Sequence, residues 1–393
     1  MSNFSNQAVN ITSLRKKAYN YRWATLDEDV IPLTAADPDF PVAQEITAAI
    51  TNYCADGYFS YCPPQGLPQF KEAIANWYQT QYQVQANAAH ILPVNSAAHG
   101  LFIVAKALVQ PHQNIIIPNP VDFLFRKSVE AAGAHVKTCP VNKITGEFDM
   151  EELASKIDSN TKAIFICNPN NPLGMAYSAT HLNQIIALAQ KHNLHIVSDE
   201  IWADITFDFP TTSLLSQNLI SYDKKIMIAG LSKNFGLAGL RIGYIVCTNQ
   251  QQFDSIYESS QHASTAFGIS GVSQAAGTAA FNHAQYWLTD FKAHLAKMRQ
   301  LTLQFVNQAK FLNPVNPNAT YLAFPTVTNT KLTAEEVVTL IHQKGRVALV
   351  PGGTSWFESQ SEGHLRICYA TSESILSLAF ERIQKIQHQI LAD

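Results

Sequence analysis

Lys233 sits in the run Gly230-Leu231-Ser232-Lys233-Asn234-Phe235-Gly236-Leu237-Ala238-Gly239-Leu240-Arg241-Ile242-Gly243-Tyr244, eight positions before an arginine. A lysine amine can attack a carbonyl and form a Schiff base. A planar guanidinium such as that of Arg241 forks onto a phosphate or carboxylate, and glycines let the backbone crowd a flat ligand. Taken singly, a lysine beside Gly and Ser more often marks a surface loop. What gives this one weight is the order of polar segments around it. Asn168-Pro169-Asn170-Asn171-Pro172-Leu173-Gly174 follows the apolar run Ala163–Cys167, and Ser198-Asp199-Glu200-Ile201-Trp202 ends the next such run, thirty-four residues before Lys233 in the case of Asp199. Upstream, Val94-Asn95-Ser96-Ala97-Ala98-His99-Gly100 leads into an apolar stretch, and downstream His364-Leu365-Arg366-Ile367-Cys368 carries another arginine.

These segments need a frame to bring them together. Short, β-branched, mostly apolar runs at Asn114–Pro118, Ala134–Pro140, Ala163–Cys167, Leu194–Asp199, Lys225–Ala229 and Arg241–Thr248 read as parallel strands covered on both faces. Helical patterns alternate with them. Phe70, Ile74 and Trp77 recur at helical spacing within Leu67–Tyr82, and Leu101–Val109 is a short apolar helix ending before Pro111. Thr333 and Glu336 form a capping box for a helix that Gly345 closes. A last helix spans about Glu373–Leu391, with Leu376, Phe380, Ile383, Ile386 and Ile390 as its apolar stripe. The alternation implies a doubly wound α/β domain, and the C-terminal third reads as α+β.

Composition narrows the function classes. The chain has 393 residues, 47% of them hydrophobic, enough for a large core and about two domains. A formal net charge of −3 gives no basic footprint for nucleic acid. Thirteen histidines lie without metal-ligand spacing, and six cysteines form no Cys-x-x-Cys pair, which fits a reducing compartment. The polar stretch Met1–Asn20 has no apolar signal core, and no run is long enough to span a bilayer. A cytoplasmic protein is expected. No Gly-x-Gly-x-x-Gly follows a strand, so a Rossmann dehydrogenase is disfavoured.

Together the lysine, asparagine and aspartate segments resemble those of class I/II aminotransferases, fold-type I pyridoxal-phosphate (PLP) enzymes. The likeness runs over about residues 30–370. It implies a large doubly wound, mostly parallel sheet domain (44–285), with an N-terminal segment (1–43) packing on a smaller α+β C-terminal domain (286–393). By that resemblance Lys233 forms the Schiff base with PLP and then acts as general base. Asp199 keeps the pyridine nitrogen protonated, because an opposite charge favours the charged form, and the pyridinium absorbs the carbanion's electrons. Ser96, Ala97 and Ala98 hold the phosphate at a helix N-terminus, joined by Ser232 and Arg241. Asn171 reaches the cofactor's 3'-oxygen and the substrate carboxylate, Arg366 clamps that carboxylate, and Ala36 stands where a glycine's backbone approaches the substrate. Tyr61, in Tyr61-Cys62-Pro63-Pro64-Gln65-Gly66, reaches the cofactor phosphate of a neighbouring subunit, which implies a homodimer with shared active sites.

Several positions depart from the pattern. Trp202 replaces the usual tyrosine, and an indole N–H donates but cannot accept or ionise. Leu173 replaces a threonine. In Pro118-Asn119-Pro120-Val121-Asp122-Phe123 the aromatic that stacks on the cofactor ring falls on Asp122, so either Phe123 takes its place, the preferred reading, or stacking is lost. The segment Ala36-Asp37-Pro38-Asp39-Phe40 leans toward a cystathionine β-lyase-like subgroup, whereas Arg241-x-Gly243 leans back toward aminotransferases. The expected activity is transfer of an amino group between an L-amino acid and a 2-oxo acid. A C–S β-lyase is the alternative, and a non-catalytic PLP-binding regulator a remote one.

Overall fold

The computed structural model describes residues 4–392. The first residues of the expected N-terminal segment (1–3) and Asp393 of the expected C-terminal domain lie outside the described residues. Seven strands form the main sheet: β1 (Ile91–Val94), β2 (Asn114–Asn119), β3 (His135–Pro140), β4 (Thr161–Cys167), β5 (His195–Asp199), β6 (Lys225–Gly230) and β7 (Gly243–Cys247). Their order is β1-β7-β6-β5-β4-β2-β3. From β3 to β6 every pairing is parallel; β7 runs antiparallel to both β6 and β1. This corrects the expectation that the run at 241–248 is a parallel strand. Its apolar composition is that of any strand buried on both faces, so direction was not readable from it. The edge strand β1 escaped the sequence reading because Pro93 interrupts it, and an edge position is where a strand tolerates proline.

Side chains alternate across this sheet with period two. Ile115 and Ile117 join a layer with Leu101, Val104, Phe125, Val129, Phe253 and Ile256, from the helices Ala97–Leu108, Leu124–Ala131 and Gln250–Ser260. Ile116 joins the opposite layer, with Leu182, Ile185 and Ile186 of the helix Ala179–Lys191. Burial on both faces is why β2 and β6 read as unbroken apolar runs.

The chain's two ends meet beside the sheet. Ile31–Pro32 pairs in parallel with Val347–Ala348, and Val350–Pro351, Leu365–Cys368 and Leu322–Ala323 make a small antiparallel sheet. The capping box at Thr333 and Glu336 is formed, and the helix Ala334–Leu340 ends in a wider turn through Gly345. In the helix Glu373–Ala392 the five stripe residues named above are all buried. No described helix is long and apolar enough to cross a membrane.

Candidate active site

The carboxyl ends of β2, β4, β5 and β6 open on one edge of the sheet, where ligands of open α/β sheets bind. A cavity of about 450 Å³ lies there, closed on its far side by the small sheet. Ser96, Ala97, Ala98, Phe123, Asn171 and Asp199 border it, as do Trp202, Ser232, Lys233, Arg241, Ala36 and Arg366. Residues as far apart as 36 and 366 therefore share one wall.

Tyr61 stands apart. It is 84% exposed, and its ring lies 5.0 Å from that of Phe267 in a separate surface hollow with Tyr53 and Phe59. Within one chain it does not reach the cavity.

The turn after β4 shows how polar residues divide their tasks. Asn168 and Asn170 are fully buried and spent on the fold: Asn168 accepts from the Tyr177 N–H (3.0 Å) and donates to the Thr212 carbonyl (3.0 Å), while Asn170 accepts from the Leu173 N–H (3.1 Å). Asn171 alone turns to the cavity. Its amide nitrogen donates to Asp122 Oδ2 (2.8 Å), and its oxygen accepts from Arg366 Nη1 (3.0 Å). Arg366 Nη2 donates to the Thr34 carbonyl (3.1 Å), its guanidinium lies 4.9 Å from the Phe357 ring centre, and its Nε is buried without a partner. A buried, unpaired charge-bearing donor of this kind is costly unless an anion completes it.

At the border formed by Ser96, Ala97 and Ala98, the helix Ala97–Leu108 begins four residues earlier than its apolar pattern indicated. Ser96 caps it by accepting from the His99 N–H (3.1 Å). The small and polar first turn carries no hydrophobic signal. The N–H groups of Ala97 and Ala98 have no protein acceptor among the described residues, as orphan donors of a first turn should if they await an anion. β7 packs directly under this turn: a Cβ on Gly243 would lie 2.4 Å from the Ser96 carbonyl carbon and 2.6 Å from the Ala97 nitrogen. Arg241 sits two residues earlier in a left-handed conformation (φ +54°), its Nε donating to Asn95 Oδ1 (3.2 Å).

Charge is concentrated in the middle. Asp199 is buried at 7% exposure, and among the described residues only the Ile201 N–H (3.0 Å) donates to its carboxylate. Burial pushes its pKa up to about 7, with a smaller push from Asp122, against the pull of the Ile201 N–H and Lys233. Lys233 donates to the Ala36 carbonyl (2.6 Å), which also accepts from Tyr321 (3.2 Å). Burial lowers the lysine's pKa, and Arg366 adds to that, while Asp37 and Asp122 oppose it. Asp122 is itself raised by burial. The Trp202 ring lies 5.5 Å from the Lys233 amine and packs edge-on to Tyr321 at 4.7 Å; its N–H donates to no protein group among the described residues.

Sequence reading missed some supports. Next to the lysine, Asn234 donates to Asp204 (2.6 Å), which also accepts from Tyr82, so a half-buried acid braces the loop that carries Lys233. Tyr21, Trp356 and Phe357 border the cavity as well. An isolated aromatic in a loop gives no periodic signal.

Comparison with known proteins identifies the family and the fold. A family model described as aminotransferase class I and II matches residues 28–383. An aspartate aminotransferase of Pyrococcus horikoshii is 26% identical over 366 residues, covering 91% of this chain and 90% of that protein. A putative aminotransferase, YugH, of Bacillus subtilis is 28% identical, with 92% of each covered. Among solved structures, a PLP-bound putative aminotransferase from Clostridium difficile superposes with a TM-score of 0.89 at 24% identity, over 98% of this chain and all of that one. An aspartate aminotransferase from Thermotoga maritima gives 0.81 at 26% identity, over 96% and 94%.

Proposed function

This chain belongs to the aminotransferase class I and II family, and on that premise we propose how its own residues carry out the transfer. It is a PLP-dependent transferase acting on an amino acid and a 2-oxo acid. The groups bordering the cavity fit that cofactor. The unpaired N–H groups of Ala97 and Ala98, with Ser96, Ser232 and Arg241, would hold its phosphate. Asp199 would face the ring nitrogen, Asn171 and the free indole N–H of Trp202 the 3'-oxygen, Phe123 the ring face, and Lys233 the aldehyde carbon.

Bound PLP supplies an electron sink for the pair left when a Cα–H bond breaks. The chain does the rest. Arg366, with its Nε unspent, binds the substrate carboxylate, and Asn171 and the Thr34 carbonyl fix the angle of its fork. Lys233, its pKa lowered first by burial, would take the proton from the substrate's Cα and pass it to the cofactor carbon on the other side of the amino nitrogen. Ala36 and Tyr321 hold that amine in place. Asp199 in its buried pocket stabilises positive charge opposite it. The single observation carrying this reading is the convergence on one cavity of Lys233, Asp199, Asn171 and Arg366, four groups from four separate segments.

The working unit would be a homodimer in a reducing cytoplasm. Tyr61, outside its own chain's cavity and beside other exposed aromatics at Phe59 and Phe267, would complete the partner's phosphate site. The unpaired buried thiols of Cys139, Cys167, Cys247 and Cys368 suit a reducing milieu. Lys233→Ala tests the central assignment: it should abolish turnover and the visible absorbance of bound cofactor, and normal turnover in that variant would refute it.

A further inference from the structure

The cations that border the cavity are three, Lys233, Arg241 and Arg366, among the described residues. Each has a task in the proposed transfer: the amine with the cofactor and the Cα proton, Arg241 with the phosphate, Arg366 with the substrate's α-carboxylate. None is left for a second carboxylate on the substrate side chain. Asp122, an acid that borders the same cavity, would disfavour one.

The wall that remains is aromatic. Trp356 and Phe357 come from the loop after Gly353, and Phe123 and Tyr21 border the same space. That loop is firmly held. Arg126 makes a two-pronged ion pair with the buried Glu358 (2.8 and 2.6 Å), the Phe123 N–H donates to the Trp356 carbonyl (2.9 Å), and the Val121 N–H donates to the Phe357 carbonyl (3.2 Å). Phe123 and Trp356 meet edge to face, 6.1 Å between centres. A fixed aromatic wall without a spare cation desolvates an apolar side chain at little cost and leaves a charged one unpaired.

We infer that the side-chain subsite walled by Trp356 and Tyr21 selects amino donors with aromatic or bulky apolar side chains over dicarboxylic ones. This rests on the transaminase reading, and the test separates the two.

Holoenzyme is titrated with L-phenylalanine, L-leucine, L-alanine, L-aspartate and L-glutamate, following loss of the cofactor's visible band and release of 2-oxo acid. In parallel, 3-phenylpropionate and succinate, which carry no amino group to transfer, are compared as competitive inhibitors. Phenylalanine should exceed aspartate in kcat/KM by about tenfold or more, and 3-phenylpropionate should bind more tightly than succinate. Trp356→Ala should lower kcat/KM for phenylalanine by about tenfold or more, through KM, with alanine changed little and Trp356→Phe restoring most of the loss. A preference for aspartate or glutamate, or tighter binding of succinate, overturns the inference while leaving the transaminase reading intact; a cation from a partner subunit would give that result. Equal losses for phenylalanine and alanine in Trp356→Ala also overturn it. Failure of every amino acid to convert the cofactor overturns the transaminase reading, and the inference with it.

Discussion

Asp199→Asn should make the cofactor-free protein gain stability relative to wild type as pH rises, while crippling the enzyme. The carboxyl is buried, and burial raises its pKa from the ordinary 3.8 to about 7. A folded-state pKa above the unfolded one means that the folded chain binds the proton more tightly. The stabilising contribution is therefore whole below about pH 4 and is lost as pH rises toward and through 7. At about 1.36 kcal/mol per pKa unit, the penalty on the folded wild type grows by about 2–3 kcal/mol between pH 5 and pH 8. Asparagine does not titrate, so its stability relative to wild type should climb by that amount over the same interval, whatever the baseline cost of the substitution. Denaturant unfolding of the two apoproteins at both pH values measures the difference. An advantage that stays flat from pH 5 to pH 8 would refute the idea that a desolvated carboxylate is held there. Turnover should move the opposite way, by orders of magnitude, because an amide holds no charge against the ring nitrogen.

Two other substitutions probe the ends of the site. Gly243→Ala places a methyl within 2.4 Å of the Ser96 backbone, so the phosphate turn must shift; the apoprotein should bind PLP or inorganic phosphate about tenfold or more weakly, measured by calorimetry. Tyr61→Ala should leave the chain folded, since the side chain is 84% exposed, yet weaken cofactor binding if a second copy completes the site; unchanged PLP affinity would remove Tyr61 from it.

Much of this was legible in the sequence because it rests on residue types that do one thing well. Asp199 ends a strand, Asn171 and Lys233 follow strands, Arg366 lies in one, and a strand buried on both faces advertises itself by its apolar run. The sequence was silent where the cause lay between segments rather than within one. Nothing local sets β7 antiparallel, and nothing in the first turn of the helix Ala97–Leu108 is apolar enough to announce it. The position at 122 shows the same limit. Family likeness asks for an aromatic there, but the aspartate's use becomes visible only when the turn after β4 folds over it and its carboxylate fixes the Asn171 amide. Likewise Trp356 reaches the cavity because Glu358 and Arg126 pin its loop, an ion pair 232 positions apart in the chain.

The most direct test of the central claim is the absorbance spectrum of the protein purified with PLP, followed as L-amino acids are added. A visible cofactor band that is lost as a 2-oxo acid appears, and that returns on addition of a 2-oxo acid, is the expected result. A band that persists while pyruvate and ammonia accumulate from a β-substituted amino acid would contradict transamination in favour of β-elimination, and no band at all in the presence of PLP would contradict the assignment of Lys233.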